Sequence, residues 1–470
     1  MFFRAQNLGP LRDAEIDLSK DLIVLAGPNN AGKTYLAWSV YGLHRTPLKM
    51  AGSRDDLARR LLESPEYSIS MTEVFAEDGS SMLEEIAKQC HAKLHLCFAT
   101  EGERFAATEI SLRIDRVGTS AFIFYAQIGY GLPTVVLSSN GTGTIYLLLS
   151  DEDDIHSLLS LVQNEHYVPA NWYLTTKSVL AALSDEKRDA VILAIGRQLV
   201  KSVPRALLPR CILFPAERIA VNIFAKELTL RRNALVDELV DADLDEQPEK
   251  PLELIRHKAG RYPWPIRDSL RDASDLANLS KNRTVFADLA DDLERAILGG
   301  TVNVSEQGEL LFAPEVSPEI HLAIHLTASV VKSLTSLVFY FRHMAEKGDF
   351  LIIDEPELNL HPDNQRKIAR ILAKAVRRGF KVMISTHSDY VLRELNHLIM
   401  LNKLPAEEAR ELGYDPEFAL DPAKVGVYLV DDHHTESIPI EETGFSIKTI
   451  DAVVNQLNID EQRLYARLAD

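Results

Sequence analysis

The sequence predicts an α/β fold: a mixed sheet with flanking helices, carrying an antiparallel β lobe and interrupted by a mostly helical insertion. Three junctions predict the sheet. Leu22 to Ala26 is a short apolar run that turns through Gly27-Pro28-Asn29-Asn30-Ala31-Gly32 into a helix-forming segment at Lys33. Phe350 to Ile353 is a second such run and ends on two adjacent carboxylates, Asp354 and Glu355. "FKVMISTHSDYVL" is a third, ending in Ser385-Thr386-His387-Ser388. Short apolar runs bounded by turn residues fit buried strands, and the periodic segments that follow them fit helices. Asp354 comes 321 residues after Lys33, so one sheet is split by a large insertion.

Composition bounds the rest. The 470 residues are 46% hydrophobic and 26% charged, an ordinary globular balance with room for two or three cores. Three cysteines (Cys90, Cys97, Cys211) form no framework spacing, which suggests a reducing, cytoplasmic compartment. The N-terminus has no long apolar stretch, so no signal peptide is expected. The strongest apolar run, "SLTSLVFYF", lies between Lys332 and Arg342 and is too short to span a bilayer, so no membrane partner is expected. A formal charge of −18 argues against a surface that coats DNA, although a local basic groove stays possible.

The first junction reads G-x-x-x-x-G-K-T in a strand-loop-helix context. Gly27 and Gly32 let the backbone N–H groups of Asn29, Asn30, Ala31 and their neighbours wrap a phosphate, and the helix N-terminus adds its positive end. Lys33 can reach β- and γ-phosphates, and Thr34 can offer a hydroxyl to Mg²⁺.

Residues 92–149 contain alternating runs, "KLHLCFAT", "EISLRI", "AFIFYAQI" and "TIYLLLS", which read as an antiparallel sheet. Residues 155–298 turn mostly helical, with prolines that exclude long uninterrupted heptads and with "DADLDEQPEKP" as a surface loop. "CILF" at 211–214 is a further strand, and a helix is expected in "IHLTASVVKSLTSLVFYFRHMAEKGD". "QCHAKLHLC" gathers two cysteines and two histidines, but as a strand it sends His95 and Cys97 to one face without C-x-x-C geometry. "VYLVDDHHTESIPIE" reads as a hairpin, with a metal site as the lesser alternative.

The two carboxylates at the end of the second strand need compensation, since isolated buried charges are costly. Beside the phosphate loop, Asp354 can hold Mg²⁺. Glu355 is expected to point elsewhere, because side chains alternate along a strand, and can deprotonate an attacking water. His387 is placed to touch a γ-phosphate. The segment "DNQRKIARILAKAVRRG" is a helix whose basic end, Lys374, Arg377 and Arg378, complements its dipole and is less suited to a DNA patch.

Together, Lys33-Thr34, "LIIDEPE" and "STHS" resemble the Walker A, Walker B and switch-histidine motifs of ABC-type ATPases. "NLGPLRDAEIDL" and "ELNLHPDNQ" resemble the opening hairpin and D-loop region of the RecF/SMC/OLD-like group within them. The resemblance implies an ABC-type P-loop ATPase head that uses ATP and Mg²⁺. Residues 1–154 would form its first lobe, 155–300 the insertion, 301–430 the second lobe, and 431–470 a terminal hairpin strand and helix. It implies a dimer or higher homo-oligomer in which Ser329 and Lys332 act in trans as a signature segment. Ser329 is expected to cap its helix, and the group's glycine is replaced by Val330. Asn359 and His361 fall in the D-loop region; Gln127, Glu217 and Arg218 compete for a Q-loop or sensor role.

Among relatives, the motif stretches look like the stand-alone ATPase subunits of bacterial anti-phage systems such as PARIS and Septu. That implies a switch or scaffold that senses infection, through a phage trigger protein, and controls a separate effector nuclease of Toprim or HNH type. No nuclease domain is expected in this chain. The alternatives are a RecF-like repair ATPase clamping DNA, and a non-hydrolysing module in which ATP only stabilises an assembly.

Overall fold

The computed structural model describes residues 1–46, 54–64, 68–114, 122–127, 134–139, 144–150, 172–225, 227 and 262–469. These residues form two compact units, each discontinuous in sequence. One comprises Met1–Arg4, Leu43–His91 and Ile110–Cys211; the other comprises Ala5–Gly42, Ala92–Glu109 and Ile212–Asp470.

The larger unit is built on a mixed sheet. β1 (Phe2–Leu8) and β2 (Leu11–Asp17) form the opening hairpin, and β3 (Leu22–Ala26) leads through the glycine loop into α1 (Lys33–Arg45). Far along the chain come β9 (Cys211–Phe214), β13 (Phe350–Asp354), β14 (Lys381–Thr386), β15 (Val425–Asp431) and β16 (His434–Ile438). Their order across the sheet is β1-β2-β16-β15-β3-β14-β13-β9. The central strand β3 is therefore flanked on both sides by strands from the last quarter of the sequence, and it pairs in parallel with both. All five residues of β3 and of β13 are buried, as expected for strands covered on two faces.

Helices cover the sheet. α8 (Ser329–His343), α9 (Pro362–Arg377) and α10 (Asp389–Leu401) each bury an apolar stripe in one core with Leu22, Val24, Leu351, Ile353, Val382 and Ile384. α9 and α10 are also joined by ions: Glu394, 1% exposed, accepts from Arg366 at 2.6 Å and Arg370 at 2.5 Å. α6 (Trp264–Ser274) precedes α7 (Ala287–Leu293), whose carboxylates meet the basic end of α9. Lys374 lies 2.8 Å from Asp292, and Arg378 lies 2.6 Å from Asp288. A small antiparallel sheet of β10 (Gly300–Val304), β11 (Leu310–Pro314) and β12 (Leu322–Ala323) precedes α8.

In the smaller unit, β6 (Phe122–Gln127), β7 (Thr134–Ser139) and β8 (Thr144–Ser150) form an antiparallel sheet within the stretch where one was expected, joined by β4 (Ser68–Ser70) from outside it, in the order β4-β8-β7-β6. α4 (Trp172–Ala182) packs on β8, and α2 (Arg54–Glu63) packs on α5 (Asp185–Leu207). Apart from Glu227, the expected helix "ELTLRRNALVDELVDA" lies outside the described residues, as does the loop "DADLDEQPEKP".

Two strand expectations are corrected. "EISLR" is β5 (Glu109–Arg113), but it pairs with β1 and not within the antiparallel sheet. "KLHLCF" belongs to α3 (Met71–Phe98). Its alternation over six residues is part of a longer helical stripe, because Leu83, Ile86, Ala87, Cys90, Leu94 and Cys97 are the buried positions among the described ones. On a helix, His95 and Cys97 no longer share a face. The hairpin at "VDDHHT" is observed, with Asp432 and His433 at φ 42° and 66° joining β15 to β16 in a two-residue loop. Among the described residues no helix is long and apolar enough to cross a membrane.

Candidate functional site

β3, β14 and β13 run side by side in parallel, and their C-terminal ends are level: Ala26 is in register with Thr386, and Ser385 with Asp354. The three loops that the sequence singled out therefore leave one edge of the sheet together. In open α/β sheets, ligands bind outside the carboxyl ends of strands.

The glycine loop is shaped by the protein around it. Gly27 has φ +148°, and a Cβ there would lie 2.2 Å from the carbonyl oxygen of Val430 in β15. Gly32 has φ +106°, and a Cβ would lie 2.7 Å from Leu11 Cγ. Both positions need glycine before any phosphate is considered, because L side chains rarely adopt these φ values. Pro28, Asn29 and Asn30 are exposed, and Ala31 is half-buried. Lys33 is buried, and its ammonium donates to the carbonyls of Gly27 at 2.9 Å and Pro28 at 2.7 Å. Burial pulls its pKa below the ordinary lysine value, opposed by the nearby Glu355, Asp354 and Glu357 carboxylates.

Asp354 is 3% exposed, and both its oxygens accept hydroxyl hydrogen bonds. Thr34 Oγ1 donates to Oδ2 at 3.0 Å, and Ser385 Oγ donates to Oδ1. Hydroxyl and carboxylate oxygens converging at the start of α1 are a hard donor set of the kind Mg²⁺ prefers, so the residues present fit that ion.

Glu355 lies beyond the strand, so strand alternation is not what sets its direction. The strand ends at Asp354, and Glu355 has φ +50°, so a left-handed turn separates the two carboxylates in place of strand alternation. Its N–H donates to the Ser385 carbonyl at 3.1 Å and lies 3.2 Å from Ser385 Oγ. His387 Nδ1 lies 3.6 Å from Glu355 Oε1 and 3.8 Å from Glu357 Oε1. Glu357 is buried, and its Oε1 accepts from Thr386 Oγ1 at 2.6 Å and from the His387 N–H at 3.2 Å. Its Oε2 has no partner among the described residues, and burial raises its pKa. Ser388 caps α10, accepting from the Val391 N–H.

Sequence reasoning assigned no role to Ser385, Glu357, Val430 or Leu11. The first two stand inside the quoted motifs "STHS" and "DEPE", where a hydroxyl beside a buried carboxylate was the available signal. The approach of Val430 and Leu11 to the glycines had no local signal.

Arg218 is fully enclosed, at 3% exposure. It donates to four main-chain carbonyls: Ser333 (3.0 Å), Pro215 (3.1 Å), Asp354 (2.8 Å) and Glu355 (2.8 Å). Burial lowers its pKa to about 10, opposed by Asp354, Glu357, Glu355 and Glu217, so it stays charged at neutral pH. Glu217 itself is exposed. Gln127 closes β6, and its side chain lies outside the described residues.

Ser329 is the first residue of α8 and is exposed, but it does not cap the helix. Ala328 occupies the N-cap position with no side-chain bond, because the turn begins one residue earlier than the serine pattern suggests. Lys332 lies one turn along and is half-buried. Asn359 has φ +64°, and His361 caps α9, accepting from the Asp363 N–H at 3.4 Å.

Residues 236–392 match a family model described as an AAA ATPase domain. No curated protein matches the chain. Among solved structures, the chain is similar to the Smc head domain with an extended coiled coil bound to the C-terminal domain of ScpA from Pyrococcus furiosus. That match has 10% identity and a TM-score of 0.31, covering 97% of this chain and 98% of that one. It is also similar to the SMC head domain from Thermotoga maritima, at 11% identity and TM-score 0.28, covering 94% and 98%. Similarity at these TM-scores is too low to carry function.

Proposed function

We propose that the chain binds and hydrolyses ATP with Mg²⁺ at the edge formed by β3, β14 and β13. The observation that carries this is the convergence of Lys33, Thr34, Asp354, Ser385, Glu355 and His387 on one strand edge, drawn from segments over 300 residues apart. The backbone of 27–32 and the Lys33 ammonium would hold the phosphates. Thr34 and Asp354 would hold Mg²⁺, which screens the phosphate charge and orients the γ-phosphoryl group. Glu355 would take a proton from water as its oxygen forms the new bond to the γ-phosphorus and the bond to ADP breaks. His387, within reach of the Glu355 carboxylate, would orient the γ-phosphate.

Two copies would share each ATP, with the exposed Ser329 and half-buried Lys332 of one facing the phosphates held by the other, and Asn359 and His361 near the junction. Phosphate release tests the enzyme: Glu355→Gln is expected to slow it about 100-fold or more, within the range for a catalytic base. Equal rates for the two proteins would refute the role of Glu355. Lys33→Ala is expected to abolish nucleotide binding, and unchanged affinity would overturn the site. A wild type that binds ATP, oligomerises and releases no phosphate would instead support the assembly-module alternative.

The wider role proposed is a switch subunit of an anti-phage complex that controls a separate effector nuclease. It is supported by the sequence likeness of "GDFLIIDEPELNLHPDNQRKIARIL" and "STHSDYVLRELNHLI" to the ATPase subunits of such systems. Co-purification of the untagged complex with a protein of nuclease type would support it. A recombination factor in its place, with DNA binding that falls steeply with salt, would favour the repair clamp.

A further inference from the structure

We propose that Arg218 is a positioning residue for hydrolysis: it holds the main chain of Asp354 and Glu355 against α8 and so fixes the left-handed turn from which Glu355 acts. The proposal rests on the ATPase function above. Three observations carry it.

First, the partners of Arg218 are carbonyls from four places in the chain, 215, 333, 354 and 355, and none is a carboxylate. An arginine buried for charge balance would reach Asp354 or Glu357 directly. This one spends its donors on the shape of the backbone. A planar guanidinium with five fixed donors can bridge such a set, and a lysine ammonium cannot.

Second, the peptide it grips is the one that needs gripping. Glu355 is a non-glycine residue at φ +50°, and such conformations persist only where surrounding contacts determine them. Its N–H is held by Ser385 and its C=O by Arg218, so the residue is pinned from both ends.

Third, the helical residues 218–225 are anchored to α8 without Arg218. Asn222 Nδ2 donates to the Lys332 carbonyl at 2.8 Å, and Ser336 Oγ donates to Asn222 Oδ1 at 2.6 Å. Ser333 Oγ also donates to the Leu358 carbonyl at 3.1 Å, tying α8 to the loop after Glu357. Changing Arg218 therefore leaves the packing of this segment in place and releases chiefly the Asp354–Glu355 peptide.

The test is a double-mutant cycle with Arg218→Lys and Glu355→Gln in the full-length chain, reading nucleotide affinity, kcat and single-turnover phosphate release. Arg218→Lys alone is expected to lower kcat about 10- to 100-fold, the loss of charge-assisted hydrogen bonds, with ATP affinity within about 2-fold of wild type. In the Glu355→Gln background the same substitution is expected to change the residual rate less than about 2-fold, because the Asp354 carboxylate keeps its own bonds to Thr34 and Ser385 and Arg218 acts chiefly through the turn that carries Glu355. Full additivity in the cycle, a wild-type kcat for Arg218→Lys, or a loss of ATP binding by Arg218→Lys would each overturn the positioning role. Failure of the underlying function gives a separate result: wild type and Glu355→Gln release phosphate at the same rate.

Discussion

Replacing Gly27 by alanine separates what the glycine loop owes to phosphate from what it owes to the fold. Two costs arise in the nucleotide-free protein. The backbone at φ +148° belongs to a region held almost only by glycine, which an alanine enters at a cost of about 1–3 kcal/mol. The added methyl would also sit 2.2 Å from the Val430 carbonyl oxygen. That oxygen is a backbone atom of β15, which is laddered to β3 on one side and β16 on the other, so it cannot swing aside as a side chain would. Displacing the strand adds about 1–3 kcal/mol of overpacking. The sum is about 4 kcal/mol, which at about 2–4 °C per kcal/mol lowers the midpoint of thermal unfolding by roughly 10 °C. Gly32→Ala supplies the internal comparison: its methyl meets the side chains of Leu11 at 2.7 Å and Pro10 at 3.0 Å and no backbone atom, so about half the loss is expected. The assay is thermal unfolding by circular dichroism without nucleotide. A Gly27→Ala protein that melts within about 1 °C of wild type and loses only ATP affinity would refute the steric reasoning.

Other outcomes follow from the same geometry. Glu357 has a folded pKa raised by burial, so between its unfolded value near 4.5 and its folded value the native state holds the extra proton. Its contribution to stability is thus present below that window and is lost as pH rises through it. Glu357→Gln should melt with a shallower decline than wild type as pH is raised from 5 to 8, and parallel profiles would contradict this. Glu394→Ala removes a buried carboxylate shared by Arg366 and Arg370 and should cost about 3 kcal/mol in urea unfolding without changing the affinity for ATP.

What the sequence disclosed was what is local. The glycine loop, the carboxylate pair and the strand-end histidine each announce themselves within a dozen residues, because a short buried strand, a turn and a helix have short-range signatures. β15 and β16 were equally legible, since Asp432-His433 is a two-residue turn between alternating runs. Period failed where it was sampled too briefly. "KLHLCF" alternates over six residues yet belongs to a 28-residue helix, whose spacing shows only when Leu83, Ile86 and Cys90 are included. Conformation at a strand's last residue was also out of reach. The direction of Glu355 depends on a φ angle set by Ser385 and Arg218, one 30 residues downstream and the other 137 upstream. Arg218 was legible only as one of three candidates for a Q-loop or sensor role, because its partners are carbonyls, which carry no side-chain identity.

The place of β3 in the sheet has a consequence for how the protein is made. On a ribosome, the glycine loop emerges long before both neighbours of the strand that supports it and the carbonyl that floors it, which are translated only after residue 380. A nascent or truncated chain cannot assemble the phosphate cradle, however well its middle has folded. At the proposed site, binding of ATP would therefore also report that synthesis has reached β14 and β15, and the late closure of so distant a contact is expected to be slow relative to local folding.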